Sequence, residues 1–223
     1  MRRADSTASA GKAIIRPMPA PKVAFVDFLD ALERANPESG EARVRVGLEG
    51  GRESSFLAAT FDRPAAWMKE EKRSHWFAEP VLYVRRLDEA TIRAAVAAMA
   101  VDLGGYWLRY YRSAPGQPSK IGVGMAAVDR VEGGCGVVEA VLKDGREFSI
   151  LSATPTWWRT ELEKRKLDYY FGPMVLFVNK LDAAHAKRAS KLMAETDEQL
   201  FCRYDTPRKT LPEVLDAFQA LHH

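Results

Sequence analysis

Trp76–Asp88 reads WFAEPVLYVRRLD, and Tyr170–Asp182, 94 positions later, reads YFGPMVLFVNKLD. Phe77/Phe171, Val81/Val175, Leu82/Leu176, Val84/Val178, Leu87/Leu181 and Asp88/Asp182 are identical in the two stretches, and Trp/Tyr, Tyr/Phe and Arg/Lys exchanges fill other positions. In each, a short apolar run rich in Val and aromatics leads into an aspartate before an Ala-rich segment. That order predicts a central β-strand entering a helix whose N-cap is Asp88 or Asp182. Val84 and Val178 are then equivalent core positions.

Working outward at a constant offset of 94, residues 44–113 match 138–207 at 22 of 70 positions without a gap. Chance pairing at average composition gives about 4–5. The match reads as an internal duplication of a small α/β module. Upstream of the strand, both copies predict a β-hairpin: Val44, Val46 and Leu48 alternate into Glu49-Gly50-Gly51, and the second copy turns at Asp144-Gly145. Between hairpin and strand lie DRPAAWMKEEKRSHWF and TWWRTELEKRKLDYYF, charged segments with spaced aromatics that suit an exposed helix. After the Ala-rich helix, YWLRYYR and LFCRYDT predict a last strand. Each module is thus expected to be ββαβαβ, and the fold class α+β, with two tandem pseudo-symmetric modules.

The expected organisation is a flexible basic arm over 1–22, a first module over 23–113, a Pro/Gly-rich connection over 114–137 and a second module over 138–223. FVDFLDALERAN predicts a helix opening the first module. TLPEVLDAFQALHH, with Thr210 and Glu213 in capping-box spacing, predicts one closing the second. Within the connection, IGVGMAAVDRV fits a strand or a helix.

Composition narrows the function. The 223 residues carry a net charge of +3, yet Arg2, Arg3, Lys12, Arg16 and Lys22 stand against Asp5 alone in the first 22. The rest of the chain is close to neutral, which weighs against a broad nucleic-acid footprint. Two cysteines, Cys135 and Cys202, make neither a CxxC nor a disulfide framework, so a cytoplasmic setting is expected. No apolar run reaches the roughly 20 residues that span a bilayer, and no secretory signal is read at the start.

No HExxH, GxSxG, GxGxxG or Walker pattern occurs, so no catalytic residue, cofactor or metal ligand is nominated. A thiol in the GGCG around Cys135 has no nominated base beside it. The recurring Arg109/Arg203, and the aromatic-basic segment with Trp157, Trp158, Arg159, Lys166 and Tyr170, form the candidate binding set, because Trp, Tyr and Arg dominate protein-binding hot spots; Lys72 recurs at the position matching Lys166. Trp157 or Trp158 is the expected anchor, since the segment around them has diverged between the copies. The functional expectation is a non-enzymatic protein-binding module, a regulator or immunity-type inhibitor of another protein. An enzyme or small-molecule sensor with its pocket between the modules is the second reading, and a nucleic-acid binder using the basic arm the third.

Overall fold

A computed structural model of the chain describes residues 20–77, 80–111, 122–196, 203–206 and 209–222. All but the end of the expected basic arm, Cys202 and the two prolines of the connection lie outside these residues. From the N-terminus the elements are β1 (Val23–Phe28), β2 (Glu41–Leu48), β3 (Glu53–Thr60), α1 (Arg63–Glu70), β4 (His75–Trp76), β5 (Val81–Val84), α2 (Glu89–Val101) and α3 (Tyr106–Tyr110). They continue with β6 (Val123–Glu132), β7 (Cys135–Leu142), β8 (Glu147–Ala153), α4 (Pro155–Lys164), β9 (Tyr169–Tyr170), β10 (Leu176–Val178), α5 (Ala183–Thr196) and α6 (Leu211–His222). The fold is α+β, with two five-stranded sheets.

The hairpins form as read. β2 pairs antiparallel with β3 and β7 with β8, and Val44↔Phe56 and Val138↔Ile150 stand in the same register 94 positions apart. Gly50, Gly51 and Gly145 turn them with positive φ. β3 then runs parallel to β5, and β8 parallel to β10. Val84 and Val178 are both fully buried, as expected. Asp88 caps α2 by accepting from the Thr91 amide at 2.8 Å, and Asp182 caps α5 by accepting from the His185 amide at 2.9 Å.

The halves are joined by a reciprocal exchange of strands. β4 leaves the first half to pair antiparallel with β10, matching Trp76 to Phe177 and His75 to Val178. β9 leaves the second half to pair with β5, matching Tyr170 to Tyr83 and Tyr169 to Val84. Every residue of one pairing lies 94 positions from its counterpart in the other. Each sheet is therefore completed by the other half, in the order β1-β2-β3-β5-β9 and β6-β7-β8-β10-β4. One hydrophobic cluster runs from Val44 and Phe56 in the first half to Leu151, Trp158 and Phe177 in the second. A smaller cluster lies between the second sheet and α5.

Three sequence expectations are corrected. The helix over FVDFLDALERAN is instead β1 followed by a 3₁₀ turn at Leu32–Arg34. β2 offers a free edge, and pairing Phe25–Phe28 against Val44–Gly47 satisfies its backbone groups, a demand that outweighs helical spacing. The strand over YWLRYYR is the short helix α3, because α2 ends at Val101 and Gly104 and Gly105, with positive φ, re-aim the chain after it. Leu108 and Tyr111, three apart, then face the core. Of LFCRYDT, the described residues 203–206 make a single bridge, Asp205 to Ile150, and no strand. The repeating order is accordingly βββαββα, not ββαβαβ. IGVGMAAVDRV resolves as β6, which pairs with β7 as β1 does with β2.

Candidate functional site

The site is assembled from the segment 102–110, the corner 170–173 and the terminal helix. Thr210 and Glu213 form the expected capping box, with the Thr210 amide donating to Glu213 at 2.6 Å. Leu211, Leu215 and Phe218 bury one face of α6. Arg165 at the end of α4 fixes the helix by pairing with Asp216, and Gln219 donates to the Arg165 carbonyl at 3.2 Å. The buried face thereby sets Phe218 against Phe171 and Tyr170, at ring separations of 5.0 and 5.2 Å.

Between α6 and α3 lies a groove of about 370 Å³. Tyr106, Trp107, Tyr110, Phe171 and Phe218 supply its aromatic surface, and Leu103 and Leu221 stand on it at 67% exposure each. Leu103 is held at φ 47°, a left-handed conformation that costs a non-glycine residue about 1 kcal/mol or more and turns the chain into α3. The polar groups are few. Asp102 accepts from Trp107 Nε1 at 2.7 Å and lies 3.8 Å from His222 Nε2, so its carboxylate is engaged within the fold. The Tyr110 hydroxyl donates to the Arg203 carbonyl at 2.6 Å, and burial pushes its pKa well up, which keeps the phenol neutral. Asp205 and Lys209 are the exposed charges of the lining.

The nominated binding residues are scattered by the fold. Trp158 is fully buried, its ring edge-on to Tyr83, Tyr170 and Phe177, so it offers no surface to a partner. Tyr170 is also buried, though its ring forms part of the groove. Trp157 is half-buried beside Gly134, whose φ of 127° and missing Cβ let the indole approach. Arg159 is exposed and pairs with Asp62 at 3.0 Å and Glu163 at 2.9 Å. Arg109 is exposed and donates to the Gly104 carbonyl at 3.1 Å. Arg203 is half-buried, and its carbonyl is bonded to Tyr110 across the halves.

Lys72 and Lys166 have a structural reason to recur. Both sit just past a helix at φ 53° and 57°, with Arg73 and Leu167 returning amide bonds to Met68 and Leu162. This is the left-handed helix ending that glycine usually supplies. The divergence between the two helices also has a packing cause. Trp158 packs on Tyr170, and Trp67 stacks on Trp76 at 4.8 Å, so each helix grips the aromatic of an exchanged strand. Trp158 aligns with Pro64, one helical turn before Trp67, so the ring has moved along one face without leaving the core.

Leu103, Tyr106, Phe218 and Leu221 were not legible as a group, because the middle of the chain and its last helix supply them. Gly104-Gly105 before an aromatic run is the local signal that marks the corner. Among the described residues no three His, Cys, Asp or Glu side chains converge as metal ligands, and no helix is long and apolar enough to cross a membrane. No family model, curated protein or solved structure matches the chain.

Proposed function

We propose that the protein is a non-enzymatic binding module that receives an apolar segment of another protein in the aromatic groove. The observation that carries this reading is the exposure of Leu103 and Leu221 at 67% each, beside Tyr106 at 43%. A small ligand seated among Trp107, Phe171 and Phe218 leaves those leucines in water. A polypeptide lying along the groove covers them with the floor, removing a contiguous apolar patch from solvent. The tyrosines and Trp107 supply the rigid aromatic area on which protein partners gain affinity.

The lining has one lysine against two aspartates, a poor match to a phosphate backbone. This favours a protein partner over a nucleic acid, in keeping with a regulator or inhibitor that acts by covering its target. Cysteine usage supports a cytoplasmic setting, with Cys135 a buried thiol. The room in the groove also suits a drug-sized molecule, whose binding is the competing outcome of the test.

The test is site-specific photo-crosslinking in the native cell, with a benzophenone residue in place of Tyr106 and, as control, of the exposed Glu33. The expected result is a polypeptide adduct at 106 alone, lost when Leu221→Asp is added without a change in melting temperature. Equal labelling at both positions overturns the reading. So does the absence of adducts together with saturable stabilisation by a small apolar compound.

A further inference from the structure

A second concavity, of about 510 Å³, lies where the chain leaving α1 meets α5. Lys72, Arg73 and His75 line it from one side, and Arg188, Lys191 and Glu195 from the other. Arg73 pairs with Glu71 at 3.0 Å and Lys191 with Glu195 at 3.8 Å. Lys72 and Arg188 have no carboxylate within ion-pair reach among the described residues. Two cations are thus uncompensated and two more are held by exposed carboxylates.

His75 sets this concavity apart from an ordinary basic surface. The residue is only 6% exposed, and its Nε2 is buried with no hydrogen-bond partner among the described residues. A buried polar nitrogen without a partner costs about 1–3 kcal/mol, and such groups in folded proteins call for an explanation. The Ser74 hydroxyl lies 3.4 Å from Nδ1, so the other ring nitrogen has its partner within the fold. Burial first, then Arg73, Arg188 and His185, holds the imidazole pKa below its ordinary value, as in a site that lacks negative charge.

The architecture itself does not demand these residues. At the positions 94 away, Ala94, Ala97 and Val101 stand for Arg188, Lys191 and Glu195, and Tyr169 stands for His75. There the exchanged strand is covered by α6, with Tyr169 at 6.3 Å from both Phe218 and His222. One side of the molecule is sealed with aromatics. The other is left open and lined with cations.

We propose that this concavity binds a phosphoryl group carried on a small molecule. Two unpaired cations match a dianion, Arg188 presents the planar donor fork suited to phosphate oxygens, and the His75 ring stands in the wall beside them. The room is larger than a bare phosphate needs, which leaves space for the carrier. Beyond its first 22 residues the chain is close to neutral, which weighs against a nucleic-acid backbone as the carrier.

The experiment uses the full chain with inorganic phosphate and pyrophosphate as probes, against chloride at matched ionic strength. Thermal stabilisation is expected to saturate with pyrophosphate, and the His75 imidazole resonances should move along the same isotherm. Arg188→Gln and Lys72→Gln should each weaken binding about tenfold or more, while Lys143→Gln on the second hairpin turn leaves it unchanged. Stabilisation that never saturates, or an isotherm unaltered by Arg188→Gln, overturns the proposal. Equal loss in Lys143→Gln does the same, because it reports general screening. Should Arg188→Gln lower stability by itself, the His75 resonances of the wild-type chain decide: no movement up to saturating pyrophosphate excludes the site.

Discussion

At the scale of single residues, two side chains carry their environment visibly. Lys166 occupies a left-handed conformation that a Cβ disfavours by about 1–2 kcal/mol, partly offset by the greater chain entropy glycine loses on folding. Lys166→Gly should therefore raise stability by about 0.5–1 kcal/mol in urea unfolding, and Lys72→Gly should do likewise. A clear loss in both would show that the backbone is not strained there. His75 gives a pH dependence. Its folded-state pKa lies below the ordinary value of about 6.5, so the unfolded chain takes up the proton first as pH falls. This group's contribution to stability is complete above about pH 6.5 and declines below it, towards the folded-state pKa. Comparing urea midpoints at pH 7.5 and 5.5 should show a fall that is smaller in His75→Gln. An equal fall in both proteins assigns the pH dependence to other groups. Lys72/Lys166 and Asp88/Asp182 were visible in the sequence as recurring residues, but only the backbone angles show that the two lysines end helices.

At the scale of elements, the two helices before the exchanged strands explain why pattern alone did not show that Trp158 is core. Each must present one large ring to position 76 or 170, and a ring one turn earlier or later on the same face does this equally well. Sequence alignment scores that shift as divergence. Trp158→Ala should accordingly cost about 3–5 kcal/mol, as for other fully buried large aromatics, whereas Trp157→Ala at a half-buried site should cost far less. Equal costs in denaturant unfolding would contradict the packing described. The same scale shows the limit of reading FLDALERA and VLDAFQAL as alike. The second has a capping box and a face to bury and becomes α6. The first follows β1, whose place is set by the free edge of β2. Local spacing is shared between them, and the neighbouring backbone decides.

At the scale of the whole molecule, the exchange of β4 and β9 predicts that the two halves unfold together. Calorimetry should record a single transition with equal calorimetric and van't Hoff enthalpies. Separately expressed pieces covering 20–113 and 122–223 should each lack cooperative unfolding, since each sheet would lose its fifth strand and the shared cluster would open to water. Two resolved transitions, or one independently folded piece, would show that the exchanged strands are dispensable. What the amino-acid order determined by itself is local and periodic: two hairpins with glycine turns, two buried valine-rich strands, aspartate-capped helices, and their recurrence 94 positions apart. These follow from alternation, turn chemistry and capping, which act over a few residues. Only the tertiary structure decided which half receives each two-residue strand, which tryptophan is core, and how Leu103 meets Leu221 across a groove. Those outcomes depend on free sheet edges and on surfaces brought together from distant segments, and no short-range pattern encodes them.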